Sequence, residues 1–390
     1  MENQKLENLL NLALNVTQEE LEKSENLSVG YETEQGKWEV IVKYSGEPKI
    51  FETPEIQTVK LLGNFAILTL YKNQIEALAN DAGVEFIEKP KRLFFAVDEG
   101  RSASCINSVQ DESFLQGNSL FGEGVLVGCV DSGIDYSHPD FCSADGASRI
   151  LRLWDQSVSG NPPKGYEIGT EYTKEQIEEA LTKKTQAERY AVVPSRDLSG
   201  HGTGVMGIAA GNGRASNGVY RGVAPKSELI VVKLGNPRAE GFPRTTELMQ
   251  GIDYCIRTAV RLGKPLALNL SFGNNYGSHD GEALLELYLD TVATIGRNVI
   301  CVGTGNEGNK AIHTSGTLNR LSESVPLQIG DYERSMNLQI WKQYVDEIEF
   351  SLEHPNGEVA GPFQEELGTQ RFRLENTEIL IYYGEPKPFS

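Results

Sequence analysis

At 390 residues the chain is too long for one ordinary hydrophobic core, and 39% hydrophobic residues with 40 glycines suit a soluble α/β protein of two or three domains. A net charge of -19 and a pI near 4.8 argue against nucleic acid and against an anionic membrane as partners, because both recruit concentrated Lys and Arg. No stretch has the length of a membrane span, and Glu2 and Glu7 stand where a secretory signal would need an apolar core, so the expected location is the cytoplasm.

In chain order, Leu6, Leu9, Leu10 and Leu14 fall at helical spacing, and an acidic segment follows from Thr17 to Lys23. Trp38 to Val42 and Phe65 to Tyr71 read as strands, Asn73 as the cap of a short helix carrying Ile75 and Leu78, and Val84 to Ile87 as another strand. These make a small α+β unit ending near residue 100. From Gly124 the character changes: Val125 to Val130 is an unbroken apolar run, as expected for a strand buried on both faces of a parallel sheet, and it stops abruptly at Asp131-Ser132-Gly133. Between Asp155 and Leu198 lies a polar insertion whose Thr173-Lys174-Glu175-Gln176 opens a charged helix to about Tyr190, a solvated surface elaboration without chemistry.

Next comes Ser199-Gly200-His201-Gly202-Thr203-Gly204, a histidine at a glycine-framed helix start, followed by small apolar residues that suit a helix packed inside a larger fold. Strands at Glu228 to Leu234, Leu266 to Ser271 and Val299 to Val302 then alternate with helices at Thr246 to Leu262 and Gly281 to Ile295. That alternation implies a doubly wound, largely parallel sheet. Beyond Leu321 short strands are expected at Val325 to Ile329, Met336 to Trp341, Ile348 to Leu352, Gln370 to Leu374 and Glu378 to Tyr383, the start of an antiparallel sandwich. The expected division is residues 1–100, 101–320 and 321–390. Five cysteines, Cys105, Cys129, Cys142, Cys255 and Cys301, have no paired spacing and read as small buried hydrophobes in a reducing compartment. No cluster of oxygen ligands is distinctive enough to assign calcium or another metal, and no cofactor is expected.

The chemistry concentrates in three places. Asp131 ends a buried strand, where ligands meet open parallel sheets. His201 can move protons near neutral pH, and an Asp beside it would fix its tautomer. Asn306 stands in a Gly-rich turn after another buried strand, and a positioned amide N–H can hold an oxyanion; the loss of such a donor costs roughly a hundred- to thousandfold in rate.

These stretches resemble the subtilisin-like serine proteases: Val130-Asp131-Ser132-Gly133-Ile134-Asp135 with His138-Pro139-Asp140-Phe141, then Gly200-His201-Gly202-Thr203-Gly204-Val205, Gly222-Val223-Ala224-Pro225, Leu268-Asn269-Leu270-Ser271-Phe272-Gly273 and Gly305-Asn306-Glu307-Gly308. The order Asp then His is that family's. The resemblance implies a subtilisin-like doubly wound parallel sheet with an N-terminal α+β propeptide domain and a jelly-roll-like C-terminal β segment. It implies endopeptidase activity on protein or peptide substrates, with Asp131 as triad acid, His201 as general base and Asn306 as oxyanion donor. By the same resemblance Ser271, Phe272 and Gly273 pair with an extended substrate, Leu234 and Gly235 lie near the opposite rim, and His138 is structural. The first hundred residues resemble a subtilase propeptide that stays on the active site, with any processing expected between Phe94 and Cys105.

The family's nucleophile sits in a Gly-Thr-Ser segment at a later helix start, and none follows Asn306; Thr314-Ser315-Gly316 lacks the preceding Gly and the helical run of small residues. The β-rich stretch after Asn306 resembles the insertion of the germination-specific, spore-associated Csp subtilases, some of which have lost catalytic residues. The chain is therefore expected to be the first part of a longer protease, spore-associated if not simply cytoplasmic, with the serine in the remainder and an apolar surface left uncovered here. The alternative is a pseudoprotease that binds a partner without cleaving it.

Overall fold

The computed structural model describes residues 4–24, 26–46, 48–91, 94–95, 106–110, 120–236, 242–308, 310–331, 333–343 and 345–384. The chain forms two compact units, one of Met1–Lys91, Asn275–Glu286 and His313–Ser390, the other of Arg92–Asn274 and Leu287–Ile312.

The first unit opens with α1 (Asn8–Asn15) and α2 (Gln18–Lys23). A capping box starts α2: Glu20 N–H donates to Thr17 Oγ1 at 3.3 Å and Thr17 N–H donates to Glu20 Oε2 at 2.8 Å. An antiparallel sheet follows from β1 (Tyr31–Glu32), β2 (Lys37–Tyr44), β3 (Gln57–Leu61) and β4 (Phe65–Tyr71), then α3 (Lys72–Ala79) and β5 (Val84–Glu88). Trp38, Val40 and Val42 alternate onto one face of β2 and join Leu10, Leu68, Leu70, Ile75 and Leu78 in one core. Asn73 is not the cap of α3. The helix begins one residue earlier, and Gln74 Oε1 accepts the Tyr71 N–H at 2.8 Å, leaving Asn73 inside the first turn.

The second unit runs β6 (Phe94–Phe95), α4 (Ile106–Gln110), β7 (Leu126–Asp131), β8 (Ile150–Asp155), β9 (Thr170–Thr173), α5 (Lys174–Leu181), α6 (Gln186–Val192), α7 (His201–Ala210), β10 (Glu228–Lys233), α8 (Thr245–Leu262), β11 (Leu266–Leu270), β12 (Phe272–Gly273), α9 (Leu284–Ala293, its part from Leu287 onward) and β13 (Asn298–Val302). The sheet order is β13-β11-β7-β10-β8-β9, parallel throughout except for β9 on the edge. β7 is central, and the chain builds outward from it first on one side and then on the other, so the ends of β7 and β11 border the switch point where open α/β sheets bind ligands.

Alternation along β7 decides where its acid points. Val127 and Cys129 share a core with Val205, Met206 and Ala210 of α7, whereas Val130 meets Gly251 of α8 on the opposite face. Asp131 has the parity of Val127 and Cys129 and so faces α7.

Several expectations are corrected. The charged helix is two, because the chain breaks after Leu181 and Thr185 caps a new helix through Glu188 N–H, 3.3 Å from Thr185 Oγ1. α7 is packed on one face only: Gly202, Val205, Met206 and Ala210 are buried, while Gly204 and Ile208 are exposed. Cys129, Cys142 and Cys255 are buried, but Cys301 is exposed because β13 is open beyond its ladder to β11; Cys105 lies outside the described residues. The sandwich is reduced to two ribbons in the first unit, β14 (Leu352–Glu353) with β15 (Val359–Ala360) and β16 (Gly368–Leu374) with β17 (Thr377–Tyr383). Val325 to Ile329 and Met336 to Trp341 form no strand, since an extended segment becomes a strand only when a neighbour accepts its backbone hydrogen bonds.

Candidate active site

The site grows from the start of α7. Gly200 precedes the helix with φ 75°, a left-handed conformation that glycine adopts without penalty, and this turn sets His201 as the first helical residue. Gly202 has to lack a side chain, because a Cβ there would run into the carbonyl oxygen of Gly133. With that close approach α7 lies on the loop after β7, and His201 Nδ1 reaches Asp131 Oδ1 at 2.7 Å. The Asp131 side chain is fully buried and that of His201 is 15% exposed. Burial pushes the Asp131 carboxyl above its ordinary value, against the opposing effect of its hydrogen bonds from His201 and from the Ser132 N–H at 2.6 Å.

Asp197, which the sequence did not single out, completes this corner with Ser132 and Thr203. Ser132 Oγ accepts the Gly202 N–H at 2.9 Å and donates to Asp197 Oδ1 at 2.8 Å. Asp197 also accepts from Gly200 N–H at 2.9 Å, Thr203 N–H at 2.8 Å and Thr203 Oγ1 at 2.6 Å. Burial works against the Asp197 charge, but the hydrogen bonds from Thr203, Ser132 and Gly200 outweigh it and hold the carboxyl below the usual range. The available signal was an Asp shortly before a helix whose N-cap is a glycine and cannot cap itself.

The remaining candidates line the carboxyl edge of the same sheet. Phe272 is buried, its ring edge-on to the His201 imidazole with centroids 5.9 Å apart. Asn269 Nδ2 donates to Ser271 Oγ at 2.8 Å, and Gly273 faces open space. The backbone of β6 pairs antiparallel with β12, Phe95 opposite Phe272 and Phe94 opposite Gly273; residues 96–105, the rest of the expected processing stretch, lie outside the described residues. On the β10 side the Leu234 N–H donates to the Asp131 carbonyl at 2.7 Å, and Gly235 passes so close to Ser157 that a Cβ would stand 2.7 Å from the Ser157 Cβ.

Asn306 follows β13, whose ladder continues to the Gly303 N–H, 2.9 Å from the Leu270 carbonyl. It is exposed; its N–H donates to Glu307 Oε2 at 2.9 Å, and among the described residues its side chain makes no hydrogen bond to Asp131 or His201. The structure thus joins Asp131 to His201 directly and sets Asn306 on the same sheet edge without contact. Ser315 is exposed in a stretch that is neither helix nor strand. His138 accepts the Asp140 N–H through Nδ1 at 3.3 Å, a turn contact. Among the described residues no group of three or more His, Cys, Asp and Glu is arranged to hold a metal ion, and no helix is long and apolar enough to cross a membrane.

Comparison with known proteins adds to this geometry. The subtilase family profile matches residues 122–351, and the Csp protease B prodomain profile matches residues 4–91. The serine protease AprX of Bacillus subtilis is 30% identical over 201 residues, covering 50% of this chain and 36% of AprX. Subtilisin-like protease 3 of Trichophyton equinum is 26% identical over 248 residues, covering 61% of this chain and 48% of that protein. The structure of the Clostridium perfringens CspB protease superposes with a TM-score of 0.61 at 32% identity, over 74% of this chain and 58% of that one. The chain therefore spans less than two thirds of the length of each of these relatives.

Proposed function

The chain belongs to the subtilase family and carries a Csp-type prodomain, and from that premise we propose that the natural protein is a serine endopeptidase in which Asp131 and His201 activate a serine supplied by a part of the protein outside these 390 residues. The observation that carries the reading is the 2.7 Å bond from His201 Nδ1 to a buried Asp131. That bond leaves the far ring nitrogen as the base. As the serine oxygen attacks the substrate carbonyl, His201 takes the hydroxyl proton, Asp131 supports the imidazolium, and the Asn306 amide donates to the oxyanion. His201 then returns the proton to the leaving amine, and water releases the acyl group by the same steps in reverse.

In this reading residues 1–100 act as propeptide, 101–320 as the peptidase and 321–390 as the start of an insertion. The extended substrate adds to Ser271–Gly273 as a strand, with Leu234 and Gly235 on the opposite rim. The pairing of β6 with β12 supports the propeptide's own tail as first occupant of that groove. We place the protein in the cytoplasm or the spore, with a protein or peptide substrate and a role in germination.

The chain spans 36% of AprX, which favours a serine carried by a further part of the protein; the second reading, a pseudoprotease that uses the cleft for docking, is favoured by Asn306 standing exposed without, among the described residues, a hydrogen bond to Asp131 or His201. Peptide cleavage by the complete natural protein, abolished by His201→Ala, supports the first. Tight partner capture without turnover, unchanged by that substitution, supports the second and overturns the first.

A further inference from the structure

We propose that Asp197 is a positioning residue for the Asp131–His201 pair: its carboxylate bolts the start of α7 to the loop after β7 and thereby sets where the imidazole stands. α7 opens on Gly200, which has no side chain to satisfy the first helical N–H groups. Asp197 supplies that function from outside the helix. One oxygen takes the Gly200 N–H and the Ser132 hydroxyl, with Ser199 Oγ at 3.3 Å; the other takes the Thr203 N–H and hydroxyl. Thr203 Oγ1 in turn accepts the Asp135 N–H at 2.8 Å, so a single carboxylate ties together the helix, Ser132 and the turn at Asp135.

The link to the pair passes through Ser132. Its hydroxyl bridges Asp197 and the Gly202 N–H, while its N–H donates to Asp131 Oδ1, the oxygen that also holds His201 Nδ1. A shift of Ser132 therefore moves the acceptor of the imidazole proton and the first turn of α7 together. The negative charge at the helix N-terminus is also favoured by the helix dipole. The hydrogen bonds from Thr203, Ser132 and Gly200 favour the ionised form of Asp197 and hold its carboxyl below the usual range.

The inference rests on the pair being the proton-transfer pair of a protease, and its test separates the two ideas. Asp197→Asn keeps the shape but removes the charge and converts one acceptor oxygen into a donor. In the complete natural protein the variant is expected to lower kcat on a peptide substrate about tenfold with KM little changed, as for a catalytic group displaced by a fraction of an ångström. In the same complete protein, histidine-selective ¹⁵N labelling should show the His201 Nδ1 proton exchanging with water about tenfold faster than in the wild type. Asp197→Glu should not restore either value, whereas Ser132→Ala should move both in the same direction by less. The exchange readout decides even if the natural protein cleaves nothing. Unchanged kcat and unchanged exchange in Asp197→Asn would overturn the proposal, as would a loss that only tracks the folded fraction. Should Asp197→Asn fail to fold, unchanged exchange in Ser132→Ala would overturn it equally.

Discussion

On one side of β7 the sheet continues through β10 and β8 and is covered on both faces; Leu229 to Val232 are fully buried there. On the other side it runs through β11 to β13, where Val299 and Val302 are 62% and 53% exposed and Asn306 stands in solvent. Asp131 and His201 belong to the covered side, because β7 and α7 press on one another and need nothing further to meet. The amide belongs to the open side, and its surroundings are not yet those of an oxyanion site. The Asp131–His201 contact depends on β7 and α7 alone, whereas the proposed role of Asn306 depends on what stands against the outer flank of β13.

Activity measurements on the complete natural protein sharpen this contrast most. Replacing His201 by Ala, or Asp131 by Asn, is expected to lower kcat by about 10⁴-fold. Asn306→Ala is expected to cost roughly 10²–10³ in kcat with little change in KM. An Asn306 effect equal to that of His201 would erase the distinction between a proton-transfer pair and an oxyanion donor.

Packing tests the covered side without any catalysis. In denaturant unfolding of the 390-residue chain, Gly202→Ala should destabilise by about 1–3 kcal/mol, since its methyl group would meet the Gly133 carbonyl. Gly204→Ala, on the exposed face of the same helix, meets nothing and should stabilise by roughly 0.5–1 kcal/mol. Equal effects at the two positions would mean that α7 is not seated on β7 as described.

The smallest expected effect is in pH dependence, where the Asp131 and Asp197 carboxylates should have opposite signs. The Asp131 pKa is raised on folding, so the stability linked to it is full below the unfolded-state value and is lost as pH rises through the folded one; Asp131→Asn should be relatively stabilising above that window. The Asp197 pKa is lowered, so its contribution is present above the unfolded-state value and lost as pH falls through the folded one; the deficit of Asp197→Asn should shrink in acid. Melting temperatures of both variants against pH check the two signs, and parallel curves would refute the assignment of opposite environments.

Much of this was legible in the sequence, and the exceptions have physical reasons. An apolar run ending in Asp131 and a histidine framed by Gly200 and Gly202 admit few readings, and the alternation of strands and helices fixed the parallel sheet. Asp197 was invisible because its role depends on the left-handed turn at Gly200, which folds the chain back over the helix start. β8 was missed since Arg152 interrupts its apolar pattern, and β3 because it is short and alternates with Thr58 and Lys60. The expected strands between Val325 and Trp341 failed for the opposite reason: a sequence can favour an extended backbone, but it cannot supply the neighbour that turns extension into a sheet.

The central claim is that Asp131 and His201 form a preassembled pair that activates a serine nucleophile. Labelling of the complete natural protein with a fluorophosphonate tests it most directly. The account predicts covalent modification of a single serine, reduced to background by His201→Ala while the variant remains folded; no labelling, or labelling indifferent to that substitution, would contradict it.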